Sequence, residues 1–342
     1  MLNPLRFIVG TLTLFAFMAV AFLCCLVGLV LEYLVFRPFF KDGRRRAHKF
    51  CNNMVNIYWV PMVYYFERWA GVELIFYGDE MPLRENGVLI ISNHREMSDW
   101  LLMLSMGIRR GRLGVVKFFV KNAVKLVPGI GYVHPNLEKG FLKYFISEYF
   151  FSDFGSKRWG LSILQMVYLS RQWDKDQKKI ERAFANIKHN KLPFWLVSFL
   201  EGTRFTQSKH QEGCEWAKSK GLKPLKNLLH PRVKGFQATV MALREELEAV
   251  YDVTFAGNAP TLFSILMGTS NTKVHVHVKR YTIDKVPNTP DGIDKWCREL
   301  WYAKDEMLEK FKKEGKFERR YELPLQVSYL DLDSVKKEKK TK

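Results

Sequence analysis

No two of the five cysteines, Cys24, Cys25, Cys51, Cys214 and Cys297, stand in a Cys-x-x-Cys spacing. A zinc site built on paired thiolates is therefore not expected, and neither is a disulfide framework. Scattered thiols suit a reducing cytosolic face. Gly-x-Ser-x-Gly is absent as well, which removes the nucleophile elbow and the acyl-enzyme it would serve. Acidic residues are few beside basic ones, 35 against 54, for a formal charge of +19. That imbalance points to an anionic partner: nucleic acid, a lipid surface or a phosphorylated substrate. A composition 47% hydrophobic and 14% aromatic excludes a disordered chain. With 342 residues, one large domain or two small ones can bury a core.

Charge is missing altogether from Phe7 to Leu31. A bilayer core needs roughly 20 apolar residues. The apolar part of a signal peptide is usually about 7–15 residues long and ends in a small-residue cleavage site. This run is longer, and it continues into Glu32–Phe36 with no such site there. It reads as a retained anchor helix over residues 7–36. Arg37, Lys41, Arg44, Arg45, Arg46, His48 and Lys49 follow it. A basic cluster beside a membrane segment belongs on the cytosolic side and attracts anionic headgroups. The next apolar stretch, Met54–Phe66, is too short and too aromatic for a span. It reads as an interfacial helix over about residues 52–70. The two pieces fit either one full span or a helical hairpin seated in one leaflet. The anchor also weighs against a nucleic-acid binder, for which no module is recognisable.

Beyond residue 70, strand-like and helix-like pieces alternate, which predicts an α/β domain over residues 71–320. Strands are expected at Val72–Tyr77, Val88–Ser92, Gly114–Val120, Phe194–Leu200, Val250–Phe255 and Val274–Val278. Helices are expected at Asp99–Met106, Asp174–Lys188 and Ile293–Lys313. Ser98 or Asp99 can cap the first of these. A polar, lysine-rich tail fills residues 321–342.

Two polar motifs lie just past buried strands, the edge where α/β sheets usually place a site. The first holds His94 and Asp99 with four residues between them. A neutral histidine can take a proton from a hydroxyl, and a carboxylate can fix its tautomer. By itself the motif reads rather as a capped turn. The second is Glu201-Gly-Thr-Arg204. Gly202 lets the backbone turn or approach a ligand, and Arg204 can grip a phosphate with two donors. A turn closed by an ion pair explains it too.

Together, these motifs resemble the glycerolipid acyltransferase family, whose first block is N-H-x4-D and whose third is E-G-T-R. The similarity is closest to its eukaryotic 1-acylglycerol-3-phosphate acyltransferase branch, which includes the lysocardiolipin acyltransferases. Glu201-Gly-Thr-Arg-Phe-Thr206, Ala217-Lys-Ser-Lys-Gly221, Leu225–Gly235 and Val250–Thr254 follow in family order. The resemblance implies a mixed sheet flanked by helices, with the N-terminal helical segment in the membrane. It implies His94 as general base and Asp99 as its orienting partner. It assigns Arg171, Glu201, Gly202, Thr203 and Arg204 to the acceptor and Pro231 to the acyl-CoA side. The implied reaction moves an acyl group from acyl-CoA to the hydroxyl of a lysophospholipid, lysophosphatidate first, with lysophosphatidylinositol or lysocardiolipin as alternatives. No metal and no tightly bound cofactor is expected; acyl-CoA is a co-substrate. An inactive membrane-interaction protein on the same fold is the rival from another class.

Residues 132–162 read as an insertion relative to that family. Lys117, Lys121 and Lys125 suit either CoA phosphates or a solvated basic face. His275 and His277 fall on one strand face and are expected to meet solvent, while Trp296 and Trp301 are expected to pack. The final Lys339-Lys-Thr-Lys342 resembles a dilysine address for the endoplasmic reticulum.

Overall fold

A computed structural model of the chain describes residues 4–121, 166–169 and 173–325. The uncharged run forms one helix, α1 (Pro4–Leu31). Proline at a first helical position forfeits no internal hydrogen bond. The helix continues through a wider turn, Glu32–Phe36, into Arg37–Phe39. Glu32 is buried there and neutralised by Arg37 at 2.8 Å. Pro4–Phe39 is, by length and composition, the one helix among the described residues able to cross a membrane.

Two helices follow, α2 (Gly43–Met54) and α3 (Asn56–Tyr64), the latter extended by a turn to Trp69. The Trp and Tyr that suggested a headgroup-level helix over 52–70 do something else. Tyr58, Trp59, Val63 and Phe66 are buried in a core shared with the sheet. Their burial, on the order of 1.5–3 kcal/mol for each large side chain, makes this segment part of the domain.

The remaining elements are β1 (Glu73–Gly78), β2 (Gly87–Ser92), α4 (Asp99–Arg109), β3 (Val116–Lys121), β4 (Val167–Leu169), α5 (Trp173–Asn190), β5 (Phe194–Phe199), α6 (Gln207–Ser219), α7 (Val233–Leu243), β6 (Ala249–Gly257), α8 (Leu262–Leu266), β7 (Lys273–Thr282), α9 (Pro290–Glu314) and β8 (Arg320–Tyr321). The strands form one mixed sheet in the order β4-β3-β5-β2-β6-β7-β1-β8. The β6–β7 and β1–β8 pairs are antiparallel. The other pairs are parallel. Strand β2 is buried along its whole length. Its side chains alternate as a pleated strand must: Val88 and Ile90 join the core under α3 and α4, and Leu89 and Ile91 join the core under α5, α7 and α9. The α/β class and the mixed sheet between helices are thus as the sequence implies. Helices α6 and α7 lie in stretches for which it offered no element.

Buried polar contacts join the layers. Arg109 grips Glu67 with two donors, at 2.6 and 2.8 Å, tying α4 to the turn after α3. Lys117 belongs neither to a solvated face nor to a CoA-attracting one. It is buried on β3, and its Nζ donates to Asn52 on α2 at 2.7 Å. Burial pushes its ammonium down to about 7. Lys121 ends β3, and Lys125 lies outside the described residues. His275 and His277 also depart from expectation. His275 pairs through Nδ1 with the Tyr77 hydroxyl at 2.8 Å, and both rings are half-buried against the aromatic pair Phe311 and Phe317. Trp301 and Trp296 do pack: Trp301 donates to the Leu229 carbonyl at 3.0 Å, and Trp296 stacks on Phe236.

From α9, the fully buried Lys304 places its Nζ 2.6 Å from Asp252 on β6 and 2.6 Å from the Val253 carbonyl. Removing one partner of a buried pair leaves an uncompensated charge. Lys304→Met should therefore cost about 3–5 kcal/mol, read as a lowered Tm, and adding Asp252→Leu should restore most of it. A Lys304→Met protein that melts with the wild type contradicts this assignment.

Candidate active site

Strands β2 and β5 run side by side in register, Ser92 opposite Phe199, and leave the sheet at the same edge. On the other side of β2, Ser92 pairs with Val253 of β6. The backbone turns away at Asn93, but its side chain prolongs the pairing. The Asn93 amide donates to the Phe255 carbonyl at 3.0 Å and accepts from the Phe255 N–H at 2.9 Å. The next residue, His94, is thereby held at the mouth of the sheet, its ring stacked on Phe199 with centroids 4.5 Å apart.

Asp99 opens α4 and fixes that ring. Its Oδ2 lies 2.9 Å from His94 Nδ1 and also accepts the N–H groups of Arg95 at 2.6 Å and Glu96 at 3.0 Å. A carboxylate oxygen surrounded by donors is an acceptor, so the Nδ1 proton belongs to the histidine. In the neutral ring, Nε2 then carries the lone pair, and among the described residues it has no hydrogen-bond partner. Ser98 precedes the helix as expected, but its hydroxyl makes no cap and goes to the Pro260 carbonyl instead.

The Glu201–Arg204 turn is knitted to this loop. Phe205 N–H donates to the His94 carbonyl at 2.8 Å, and Arg204 pairs with Glu96 at 2.9 and 3.2 Å. Gly202 adopts a φ of +66°, and a Cβ there would come within 2.8 Å of the Arg232 side chain. Both demands select glycine. Thr203 accepts from Lys209 Nζ at 2.7 Å, and Thr206 caps α6. Pro231 is buried, and Arg232 beside it donates its N–H to Leu200 at 2.7 Å. Arg204, Lys209 and Arg232 together give the turn a cationic rim.

Glu201 sits apart from that rim, 3% exposed, with Oε2 unpartnered among the described residues. Burial holds its carboxyl well above the ordinary value of 4.5. Backbone groups of His94 and Leu229 and the charge of Lys304 offset this only in part. Glu201 thus supports the turn from beneath, and its burial favours the protonated acid.

His94, Asp99, Glu201, Gly202, Thr203, Arg204 and Pro231 therefore meet at one sheet edge. Arg171 and the 132–162 insertion lie outside the described residues. Sequence reasoning singled out neither Asn93 nor Glu96, Lys209 or Arg232. The first two lie within or beside the His94 motif, Lys209 lies just past the Glu201–Thr206 run, and Arg232 lies within the Leu225–Gly235 run. Spacing alone assigned them no contact.

The chain matches the Acyltransferase family model over residues 73–256, which spans both motifs, and the Acyltransferase C-terminus model over residues 264–338. The chain belongs to the acyltransferase family. Within that family it stands with the 1-acyl-sn-glycerol-3-phosphate acyltransferases, as its motifs implied. It is 30% identical to 1-acyl-sn-glycerol-3-phosphate acyltransferase 3 of Arabidopsis thaliana, over 86% of this chain and 74% of that protein. It is 31% identical to 1-acyl-sn-glycerol-3-phosphate acyltransferase delta of Bos taurus, over 75% of this chain and 62% of that protein. Among solved structures, the 1-acyl-sn-glycerophosphate (LPA) acyltransferase PlsC of Thermotoga maritima is similar with a TM-score of 0.44 at 13% identity, over 89% of this chain and 98% of that one.

In this acyltransferase the buried acid has a pH signature. Folded Glu201 keeps a proton that the unfolded chain releases above the ordinary value of 4.5. Its contribution to stability is therefore full below that value and falls as pH rises toward the folded value. Glu201→Gln should remove this slope, flattening Tm against pH above 4.5 relative to wild type. Parallel profiles for the two proteins contradict a neutral Glu201.

Proposed function

We propose that this acyltransferase transfers the acyl group of acyl-CoA to the free hydroxyl of a lysophospholipid, lysophosphatidate first, at a membrane surface. The observation that carries the reading is the 2.9 Å contact between His94 Nδ1 and Asp99 beside a turn rimmed by cations. Nε2 removes the hydroxyl proton as the oxygen attacks the thioester carbonyl. The C–S bond then breaks, and the imidazolium returns the proton to the CoA thiolate. The histidine ends as it began, and Asp99 offsets the ring charge that forms in between. Arg204, Lys209 and Arg232 suit the acceptor phosphate, which would hold the hydroxyl near the ring; such positioning lowers the entropic part of the barrier. Gly202, Thr203 and Pro231 shape the turn that carries these cations.

The names of the relatives support lysophosphatidate as acceptor over lysophosphatidylinositol or lysocardiolipin. The apolar helix and its basic flank fit a bilayer with anionic lipids on the cytosolic side. The endoplasmic reticulum is the membrane proposed, with a mitochondrial or other organelle membrane as the alternative.

The test incubates the full chain with acyl-CoA and a panel of lysophospholipids and follows thiol release and lipid product. His94→Ala should lower kcat by about 10²–10⁴ with the protein still folded; a residual rate near wild type sinks the mechanism. Arg204→Ala should weaken acceptor use by about tenfold or more while acyl-CoA use changes little; unchanged acceptor kinetics remove its role. No turnover on any acceptor would favour an inactive interaction protein.

A further inference from the structure

The catalytic loop touches a segment that the chemistry above does not use. Ser98, next to Asp99, donates its hydroxyl to the Pro260 carbonyl, and Pro260 leads into the short helix α8. That helix is firmly held. Thr261 Oγ1 accepts the Ser264 N–H at 3.1 Å, the Ser264 carbonyl accepts the Thr269 N–H at 2.9 Å, and the Ser264 and Ser270 hydroxyls lie 2.8 Å apart. Ile265 and Met267 are buried, yet Leu262 and Phe263 stand 46% and 54% exposed. Two large apolar side chains held in water on ordered backbone are unfavourable unless something apolar covers them.

The far end of the segment is fastened to α1. Arg6 donates to the Gly268 carbonyl at 2.8 Å, and the Tyr65 hydroxyl donates to the Leu266 carbonyl at 2.9 Å. Gly10 approaches so closely that a Cβ on it would collide with the Leu266 carbonyl. Helix α1 buries Gly10, Ala21, Cys24 and Cys25 against the domain. Leu5, Phe7, Ile8, Leu12, Leu14 and Phe15 are exposed, so α1 presents apolar side chains on the faces that the domain does not cover. Helix α1 and the α8 segment meet at Arg6, Gly10, Leu266 and Gly268.

We propose that Thr261–Leu266 is a second lipid-contacting element, which places Leu262 and Phe263 in the interfacial zone of a bilayer and seats the mouth of the His94 site against the membrane. Direct contact with α1, itself long and apolar enough for a bilayer, selects a lipid surface over a second copy of the chain or a soluble partner. Met97, exposed within the catalytic loop, adds an apolar side chain next to the Ser98–Pro260 contact. An acceptor would then reach His94 from the lipid phase. That consequence rests on the lysophospholipid reading above; the lipid contact itself does not.

The test uses the full chain in phosphatidylcholine vesicles with and without bromine on the acyl chains. Phe263→Trp adds one indole to the nine present, and its emission in excess of wild type reports position 263. Loss of most of that added emission in brominated vesicles supports the proposal. Added emission untouched by bromine overturns it, whether the indole is open to aqueous acrylamide or shielded from it as under a protein partner. Kinetics read the same contact. Leu262→Ser together with Phe263→Ser should raise the apparent KM for an acceptor carried in vesicles by about tenfold and leave it unchanged for a short-chain acceptor dispersed as monomers. Equal losses on both acceptors overturn the proposal. Bromine quenching without turnover on either acceptor would keep the lipid contact and sink the acceptor assignment instead.

Discussion

The Asp99 Oδ2 atom takes hydrogen bonds from the His94 ring and from the N–H groups of Arg95 and Glu96. A carboxylate in the first turn of α4 is favoured by the partial positive charge there. Three donors on one oxygen close the residues between His94 and Asp99 into a fixed turn, and the tautomer of the histidine follows from that closure. The surroundings are built about this turn. Asn93 ties its start to β6, Phe199 supports the ring face, Phe205 binds the His94 carbonyl, and Glu96 holds Arg204 in place. His94 and the cationic rim are thus parts of one hydrogen-bonded unit, although they come from different strands.

Buried charges extend the same design through the fold. Arg109 with Glu67, Lys117 with Asn52 and Lys304 with Asp252 each join a helix or strand to a different layer. Such contacts add little net stability over an apolar replacement, but breaking one side is costly. Their effect here is on placement. The segment from α2 to the end of α3 is fastened to β3 and α4, so it and the sheet hold a fixed relation. Helix α9 is fastened to β6 at Val253, the residue opposite Ser92 at the start of the His94–Asp99 turn.

Much of the sheet was legible in the chain because its central strands are buried on both faces. Val88–Ile91 and Phe194–Val197 are nearly continuous apolar runs, as a central parallel strand requires. The His94–Asp99 pair was legible because a five-residue step into a helix brings both ends together locally. Lys117 and Lys304 were not, since a lysine reads as solvated until the fold supplies a buried partner. His275 and His277 misled for a related reason: strand alternation gives the face, but the cover comes from Phe311 and Phe317 on and after α9. The contacts that aim the site were equally hidden. Asn93 meets Phe255, and Ser98 meets Pro260, each 162 residues away in the chain. Pattern and spacing are local properties and do not encode such pairings. The aromatic residues of 52–70 carried the opposite signal: a membrane interface and a protein core favour the same side chains, so composition could not separate the two.

The central claim is that Asp99 locks the His94 ring with its proton on Nδ1 and its lone pair on Nε2. The most direct measurement is the ¹⁵N chemical shifts of the His94 imidazole in the full chain reconstituted in lipid, recorded where the ring is neutral. The account predicts a protonated, hydrogen-bonded Nδ1 and an unprotonated Nε2. A neutral ring with its proton on Nε2 would contradict it.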